Sequence, residues 1–222
     1  MDFWYKVLIT IVGTYKTFFI RSVEVAGRDN IPPGPKIIVA NHPNVTDSFV
    51  LPFIVREKLH FLIQADTFTL PIFGRLLELA DQIPVTVGQG REALNTAIDR
   101  LARGNSVVIF PEGRLNDAKE FHRAGAGASL IAMESGAPIV PLGFYVPDEY
   151  ARAMKGHFHG RETVGRWQFG GRCFVQIGEP WQPLVDEVDR GYRTLRAHTQ
   201  QMMAQIMDLV EQAKAEAGKY GG

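Results

Sequence analysis

The stretch IIVANHPNVTDSFVLP, residues 37–52, decides the fold class of this chain. Its first four residues are apolar and mostly β-branched, which predicts a short buried strand. Pro43 ends that strand, because proline cannot continue a β-ladder, and Asp47 then precedes an apolar run with helical spacing. A buried strand that leads through polar residues into a helix is the repeating unit of α/β domains.

The same alternation recurs along the chain. The predicted strands are Lys36–Ala40, His60–Ile63, Ile83–Val87, Ser106–Phe110, Ile139–Tyr145 and Arg172–Ile177. The predicted helices are Ser48–Glu57, Pro71–Leu79, Arg91–Arg103 and Gly125–Ser135, with a closing amphipathic helix within Asp186–Ala217. Lys155–Gly171 has no clear periodicity and is predicted to be a long surface excursion. We therefore predict an α/β fold, a single layered domain whose mixed, mostly parallel sheet is flanked by helices.

Residues 1–22 raise the question of a membrane. The run DFWYKVLITIVGTYKTFFIR is interrupted by Lys6 and Lys16, so its uncharged part is shorter than the roughly 20 apolar residues of a spanning helix. Aromatic residues at both ends indicate an amphipathic helix lying in a bilayer interface. A helix packed on the domain is the alternative. The predicted organisation is this N-terminal segment, residues 1–22, followed by one domain, residues 23–222.

Composition excludes several classes of protein. The chain has 222 residues, 45% of them hydrophobic, which is enough for one buried core. Its 24 basic residues balance its 24 acidic ones, and zero net charge argues against nucleic acid as a partner. A single cysteine, Cys173, rules out an internal disulfide framework and a cysteine-rich metal site.

Two clusters of polar residues follow predicted strands. In the first, His42 stands at a turn with Asp47 close behind. A carboxylate that orients one ring nitrogen leaves the other free to take a proton from a hydroxyl. The alternative for Asp47 is an ordinary helix N-cap.

The second cluster, FPEGR, follows the strand predicted at Ser106–Phe110. Gly113 permits a tight turn, and the Arg114 guanidinium is suited to bidentate capture of a phosphate or carboxylate. Alone, this is a turn with a surface ion pair. Because parallel strands end at the same edge of a sheet, the two clusters are expected to converge on one crevice.

At these residues the chain resembles the glycerolipid acyltransferase family, which includes 1-acylglycerol-3-phosphate and glycerol-3-phosphate acyltransferases. The motif NHxxxxD matches Asn41, His42 and Asp47, the motif FPEG with a nearby arginine matches Phe110–Arg114, and an apolar run ending in proline matches APIVP up to Pro141. The resemblance covers about Ile37 to Gly143, and the joint occurrence of three motifs in order is specific.

The resemblance implies an O-acyltransferase domain in residues 23–222 that acts in phospholipid biosynthesis. It implies that His42 is the general base, that Asp47 orients it, and that the acceptor hydroxyl attacks the thioester of acyl-CoA or acyl carrier protein directly. It implies a lysophospholipid acceptor, with 1-acylglycerol 3-phosphate leading, and no metal or cofactor. The expected location is the cytoplasmic face of the cell membrane, peripheral or monotopic. The implied substrate-binding residues are Asn41, Glu112, Gly113, Arg114, Gly74 and Pro141.

The chain departs from the family in its second motif. Pro71 and Gly74 fit, but Gln64 and Asp66 stand where a Lys and a Glu are usual, and Val87 stands where an Arg is usual. Arg75 and Arg91 are the candidates to replace these cations. An acceptor other than 1-acylglycerol 3-phosphate therefore stays open. A thioesterase or lipid hydrolase that uses the same His42–Asp47 pair also stays open, although no GxSxG elbow is present.

Overall fold

A computed structural model describes residues 2–115, 124–158, 161–183 and 191–220. Six helices and nine strands follow one another in these ranges. In chain order they are α1 (Phe3–Phe19), β1 (Ser22–Ala26), β2 (Ile37–Ala40), α2 (Asp47–Ile54), β3 (Leu59–Gln64), α3 (Phe73–Leu79), β4 (Ile83–Val85), α4 (Gly90–Ala102), β5 (Ser106–Ile109), α5 (Gly127–Ser135), β6 (Ile139–Tyr145), β7 (Ala151–Phe158), β8 (Arg161–Gln168), β9 (Arg172–Ile177) and α6 (Tyr192–Gly218).

Seven strands form the main sheet, in the order β1-β9-β6-β2-β5-β3-β4. Every neighbouring pair is parallel except β6 and β9, which are antiparallel. Strands β2 and β5 lie at the centre and are buried throughout, as expected for parallel strands covered on both faces. The predicted single α/β domain with a mixed, mostly parallel sheet is confirmed.

Side chains of the central strands alternate between two cores. On β2, Ile38 and Ala40 join a cluster that includes residues of α2 and β9, whereas Ile37 and Val39 join a cluster with α4, α5 and α6. This follows from the two-residue period of a strand. The centre of the sheet is therefore fixed from both faces, and the loops that leave it start from a rigid edge.

The predicted helices are confirmed with shifted ends. Helix α2 begins one residue earlier than predicted, at Asp47, and stops at Ile54. Helix α5 ends where predicted, because Gly136 adopts the left-handed conformation with φ of 69°. Helix α6 lies within and just beyond the predicted closing helix. The start of that prediction, residues 186–190, lies outside the described residues.

The prediction for Lys155–Gly171 is wrong. Instead of a surface excursion, β7 and β8 form an antiparallel hairpin with Ala151 paired to Gln168 and Phe158 paired to Arg161. The glycines and charges of this stretch hid the strands because a hairpin outside the main sheet needs few apolar residues. Strand β1 was not predicted either, and it begins at Ser22, the last residue assigned to the N-terminal segment.

Helix α1 packs on the domain with one face and exposes apolar side chains on another. Tyr5, Leu8 and Val12 are buried, and the last two lie in a cluster with residues of α3. The exposed apolar side chains of α1 are Phe3, Trp4, Ile11, Phe18 and Phe19. Helix α1 can therefore pack on the domain with one face and still present another face to a bilayer interface. Within the described residues, α1 and the other helices are too short or too polar to cross a bilayer.

Candidate active site

The two polar clusters meet at the carboxyl edge of the sheet. Strands β2 and β5 are parallel neighbours with Val39 opposite Ile109, so the chain leaves both strands at the same level. The His42 ring stacks on the ring of Phe110, with centroids 3.9 Å apart and planes 11° from parallel. The base candidate and the start of FPEGR are therefore in direct contact.

His42 faces Asp47 across the turn between β2 and α2. The Nδ1 atom of His42 lies 3.4 Å from Oδ2 of Asp47. The imidazole is 18% exposed whereas the carboxylate is 1% exposed, so solvent reaches part of the ring but not the carboxylate. This arrangement suits a base held by a buried orienting group.

The carboxylate of Asp47 is fixed by more than His42. The backbone N–H of Asn44 donates to Oδ2 at 2.7 Å, and the Asn44 side-chain amide lies 3.4 Å from Oδ1. Burial raises the pKa of Asp47, while hydrogen bonds and attraction from His42 and bonds from Asn44 oppose that rise. Asp47 is the first residue of α2 and Thr46 occupies the N-cap position. Asp47 is therefore not the N-cap residue of α2, which was the alternative prediction for it.

Asn44 and Phe110 were missed as site residues by sequence reasoning. Asn44 gives Asp47 its shortest hydrogen bond, and Phe110 supports the His42 ring. The polar Asn44 between Pro43 and the helix was a usable signal, since asparagine often bonds to backbone and side chains in turns. Phe110 gave no such signal, because a phenylalanine at a strand end also fits a core.

Asn41 is placed differently from the predicted substrate contact. Its side-chain amide donates to the carbonyl of Phe144 at 2.9 Å, and its side-chain oxygen accepts from the Phe144 N–H at 2.7 Å. Asn41 is 3% exposed. Both ends of the amide thus bind β6 and hold the turn after β2 in place, and a direct contact between Asn41 and substrate stays a prediction.

The FPEGR turn is held on both sides. Gly113 has φ of 67°, a left-handed conformation that favours glycine, and its N–H donates to the Phe110 carbonyl at 2.9 Å. The Gln64 side-chain amide, at the end of β3, donates to the Gly113 carbonyl at 2.7 Å. Glu112 is buried and Arg114 is exposed. The turn therefore presents an arginine from a backbone that β3 steadies.

Gly74 and Pro141, the other two predicted substrate residues, occupy packed positions. A Cβ on Gly74 would lie 1.9 Å from the carbonyl oxygen of Phe68, so Gly74 lets the start of α3 approach the backbone of Phe68 closely. Pro141 is buried on β6 opposite Val39, and its carbonyl accepts from Gly178 at 2.9 Å. Both shape the scaffold under the site, and their contact with substrate stays a prediction.

The candidates for replacing the missing cations each contact a carboxylate. Arg75 lies 2.7 Å from Glu78, and Arg91 lies 3.1 Å from Glu134. Val87, where the family usually has an arginine, is 97% exposed. Among the described residues there is also no group of three His, Cys, Asp or Glu side chains placed to hold a metal ion.

Residues 22–145 match the protein-family model described as Acyltransferase. The chain belongs to the acyltransferase family. The match spans β1 to β6 and so contains both clusters of this acyltransferase domain.

Named relatives agree with the family. A 1-acyl-sn-glycerol-3-phosphate acyltransferase of Pseudomonas aeruginosa is 28% identical over 123 residues, 54% of this chain and 48% of that one. The lyso-ornithine lipid O-acyltransferase of the same organism is 29% identical over 165 residues, 71% and 63% of the two chains. The 1-acyl-sn-glycerophosphate acyltransferase of Thermotoga maritima shares the fold, with a TM-score of 0.66, 22% identity and coverage of 92% and 79%. The chain spans about half or less of the length of several curated relatives that it matches.

Proposed function

We propose that this acyltransferase moves a fatty acyl group from a thioester, acyl-CoA or acyl carrier protein, to the hydroxyl of a lysophospholipid, with 1-acylglycerol 3-phosphate as the leading acceptor. The observation that carries the proposal is the partly exposed His42 ring held 3.4 Å from the buried Asp47 carboxylate and stacked on Phe110 of the FPEGR turn. A histidine and carboxylate arranged in this way can activate an acceptor hydroxyl for direct acyl transfer, without a nucleophile from the protein.

In the proposed reaction, His42 takes the proton of the acceptor hydroxyl while the hydroxyl oxygen attacks the thioester carbonyl carbon. A C–O bond forms and the carbonyl becomes an oxyanion, which backbone N–H donors are suited to stabilise. When the oxyanion collapses, the C–S bond breaks and the thiolate leaves with the proton held by His42. Asp47 stabilises the imidazolium between these steps, because its buried carboxylate lies beside the ring.

The FPEGR turn is the proposed place for the acceptor head group. Arg114 is exposed at this turn, and a guanidinium binds a phosphate through paired hydrogen bonds. The stack between His42 and Phe110 joins this turn to the base. A head group held at Arg114 thus brings the acceptor hydroxyl toward the imidazole. Glu112 and Gly113 shape the turn in this proposal.

A second acceptor class, a lysolipid without a phosphate, is supported by a separate observation. Gln64 stands where the family usually has a cation, and its amide is used to hold the Gly113 carbonyl. Arg75 and Arg91 contact carboxylates of their own. The relative named lyso-ornithine lipid O-acyltransferase matches more of this chain than the Pseudomonas 1-acyl-sn-glycerol-3-phosphate acyltransferase does.

We also propose that the protein works as a peripheral or monotopic protein on the cytoplasmic face of the membrane, where soluble acyl donors meet lipid acceptors. The exposed aromatic and apolar side chains of α1 support this location. Its threonines 10, 14 and 17 each donate to the carbonyl four residues earlier at 2.8 Å. These hydroxyls are therefore satisfied within the helix, as burial in a bilayer interface requires.

An acceptor panel tests the proposal. Purified protein is given acyl-CoA or acyl carrier protein with 1-acylglycerol 3-phosphate, glycerol 3-phosphate, other lysophospholipids or lyso-ornithine lipid, and the acylated product is measured. Acyl transfer that disappears in His42→Ala, with the fold retained by circular dichroism, supports the assignment. Release of free fatty acid that does not depend on acceptor would show a hydrolase instead. Turnover near the wild-type rate in His42→Ala would exclude His42 as the base.

A further inference from the structure

Strand β8 lies directly against the loop that carries the proposed base. The backbone N–H of Val45 donates to the carbonyl oxygen of Arg166 at 2.8 Å. Val45 stands between His42 and Asp47 in the chain, in the turn whose geometry sets their separation. The β7–β8 hairpin, which the sequence did not predict, is therefore a wall of the site.

Gly165, next to Arg166, leaves space for both chemistry-bearing loops. A Cβ built at this position would lie 3.0 Å from Cγ2 of Val45 and 3.6 Å from Cδ1 of Leu115. Leu115 directly follows Arg114 of the FPEGR turn. A side chain at position 165 would press on the base loop first, because a Cβ contact of 3.0 Å is tighter than ordinary van der Waals contact.

The hairpin itself is anchored elsewhere. The Tyr15 hydroxyl of α1 donates to the Gln168 carbonyl at 2.7 Å, and the Gly170 N–H donates to the Phe19 carbonyl at 2.6 Å. The Trp167 ring lies 6.1 Å from the ring of Phe49 on α2. Because β8 is tied to α1 and packs near α2, pressure at position 165 is expected to move the Val45 loop rather than the strand.

We propose that Gly165 is a positioning residue for the base, a role that rests on the proposed acyl transfer. Its missing side chain lets Val45 approach β8 and so keeps His42 and Asp47 within reach of each other. Their contact of 3.4 Å is already long for a hydrogen bond. A shift of the Val45 turn by a few tenths of an ångström, enough to relieve a 3.0 Å contact, is expected to disturb this pair.

The test is a double-mutant cycle in the full chain, with the acceptor that wild-type protein uses best. We expect Gly165→Ala to lower kcat about 10- to 100-fold and to leave the KM for the acyl donor within about twofold of wild type. Misplaced catalytic groups slow the chemical step, whereas the acyl donor is bound mainly by contacts away from the reacting atoms. Val45→Ala, which removes the methyl groups that would clash, should restore most of the lost rate when added to Gly165→Ala. Gly218→Ala is the matched control, since a Cβ there meets nothing within 4 Å.

Hydrogen–deuterium exchange of the segment 42–47 supplies a readout that does not depend on turnover. Gly165→Ala should raise exchange in this segment, and the double variant should lower it again. Should Gly165→Ala fail to fold, Val45→Ile adds one carbon to the same space and is expected to produce the same loss of kcat. Wild-type kcat in Gly165→Ala, or a loss that Val45→Ala does not relieve, overturns the positioning role. A wild-type protein inactive on all acceptors overturns the proposed function instead, and exchange still decides whether Gly165 holds the loop.

Discussion

Replacing Asp47 with asparagine separates the negative charge of this residue from its shape. The variant keeps one oxygen, which is expected to go on accepting the hydrogen bond from the Asn44 N–H, now 2.7 Å long. The same oxygen, Oδ2, also lies 3.4 Å from Nδ1 of His42, so it goes on facing the ring, and the new NH2 group takes the place of Oδ1 beside the Asn44 side chain. The variant therefore keeps an acceptor for the ring N–H but loses the negative charge. A neutral amide stabilises the imidazolium formed in the proposed reaction less than a buried carboxylate does.

The expected loss follows from what a positioned base contributes. General base catalysis is worth about 10²- to 10⁴-fold, which corresponds to roughly 2.7 to 5.4 kcal/mol of activation free energy. The base and an acceptor for its ring N–H stay in Asp47→Asn and only the charge beside the imidazolium is lost, so we expect a fall in kcat toward the lower end of that range. The assay is thiol release from acyl-CoA at saturating acceptor, with formation of the acylated lipid measured in parallel.

Stability should change in the opposite direction from activity. Burial raises the pKa of Asp47 above its ordinary value of 3.8, so the folded protein keeps this proton to higher pH than the unfolded chain does. Between the two pKa values the unfolded state binds fewer protons, and the wild-type free energy of unfolding falls as pH rises. Asparagine does not ionise. The free energy of unfolding of Asp47→Asn, relative to wild type, should therefore increase across this window.

Denaturant titrations between about pH 4 and about pH 8 measure this difference. Asp208→Asn, the same change at an exposed position of α6, is the control and should alter neither kcat nor the pH dependence. Wild-type kcat in Asp47→Asn would refute the proposed stabilisation of the imidazolium by the carboxylate. A relative stability that falls with rising pH would refute the argument from burial.

Three further predictions concern the surroundings of the site. Gln64→Leu removes the donor to the Gly113 carbonyl and should raise the acceptor KM several-fold in steady-state kinetics; an unchanged KM would contradict its bracing role. Tyr5→Phe leaves the buried Leu59 N–H without the Tyr5 hydroxyl oxygen 3.0 Å away and should lower the free energy of unfolding by about 1 to 3 kcal/mol in urea titrations. Phe18→Glu, at the most exposed aromatic of α1, should reduce cosedimentation with anionic vesicles, and equal binding would exclude this face as the contact.

The sequence by itself determined the repeating units of the fold and the polar residues that follow its central strands. Strands β2 and β5 were readable because buried parallel strands are continuous apolar runs, and His42 and Asp47 were readable because they are close in the chain and follow such a run. Even their convergence with FPEGR was predictable, since parallel neighbours end at one edge of the sheet.

Only the tertiary structure decided which groups surround the proposed base, His42. The Val45 hydrogen bond to β8, the space at Gly165 and the Gln64 bond to Gly113 join residues from separate elements. Such contacts leave no local sequence pattern. Neither a backbone hydrogen bond nor a glycine beside a neighbouring loop can be recognised from the residues next to it in the chain. The hairpin was hidden for a related reason, as strands outside the main core carry no continuous apolar run. Local sequence patterns therefore predicted the elements and the position of the His42–Asp47 pair, while packing between distant segments determined which residues surround that pair.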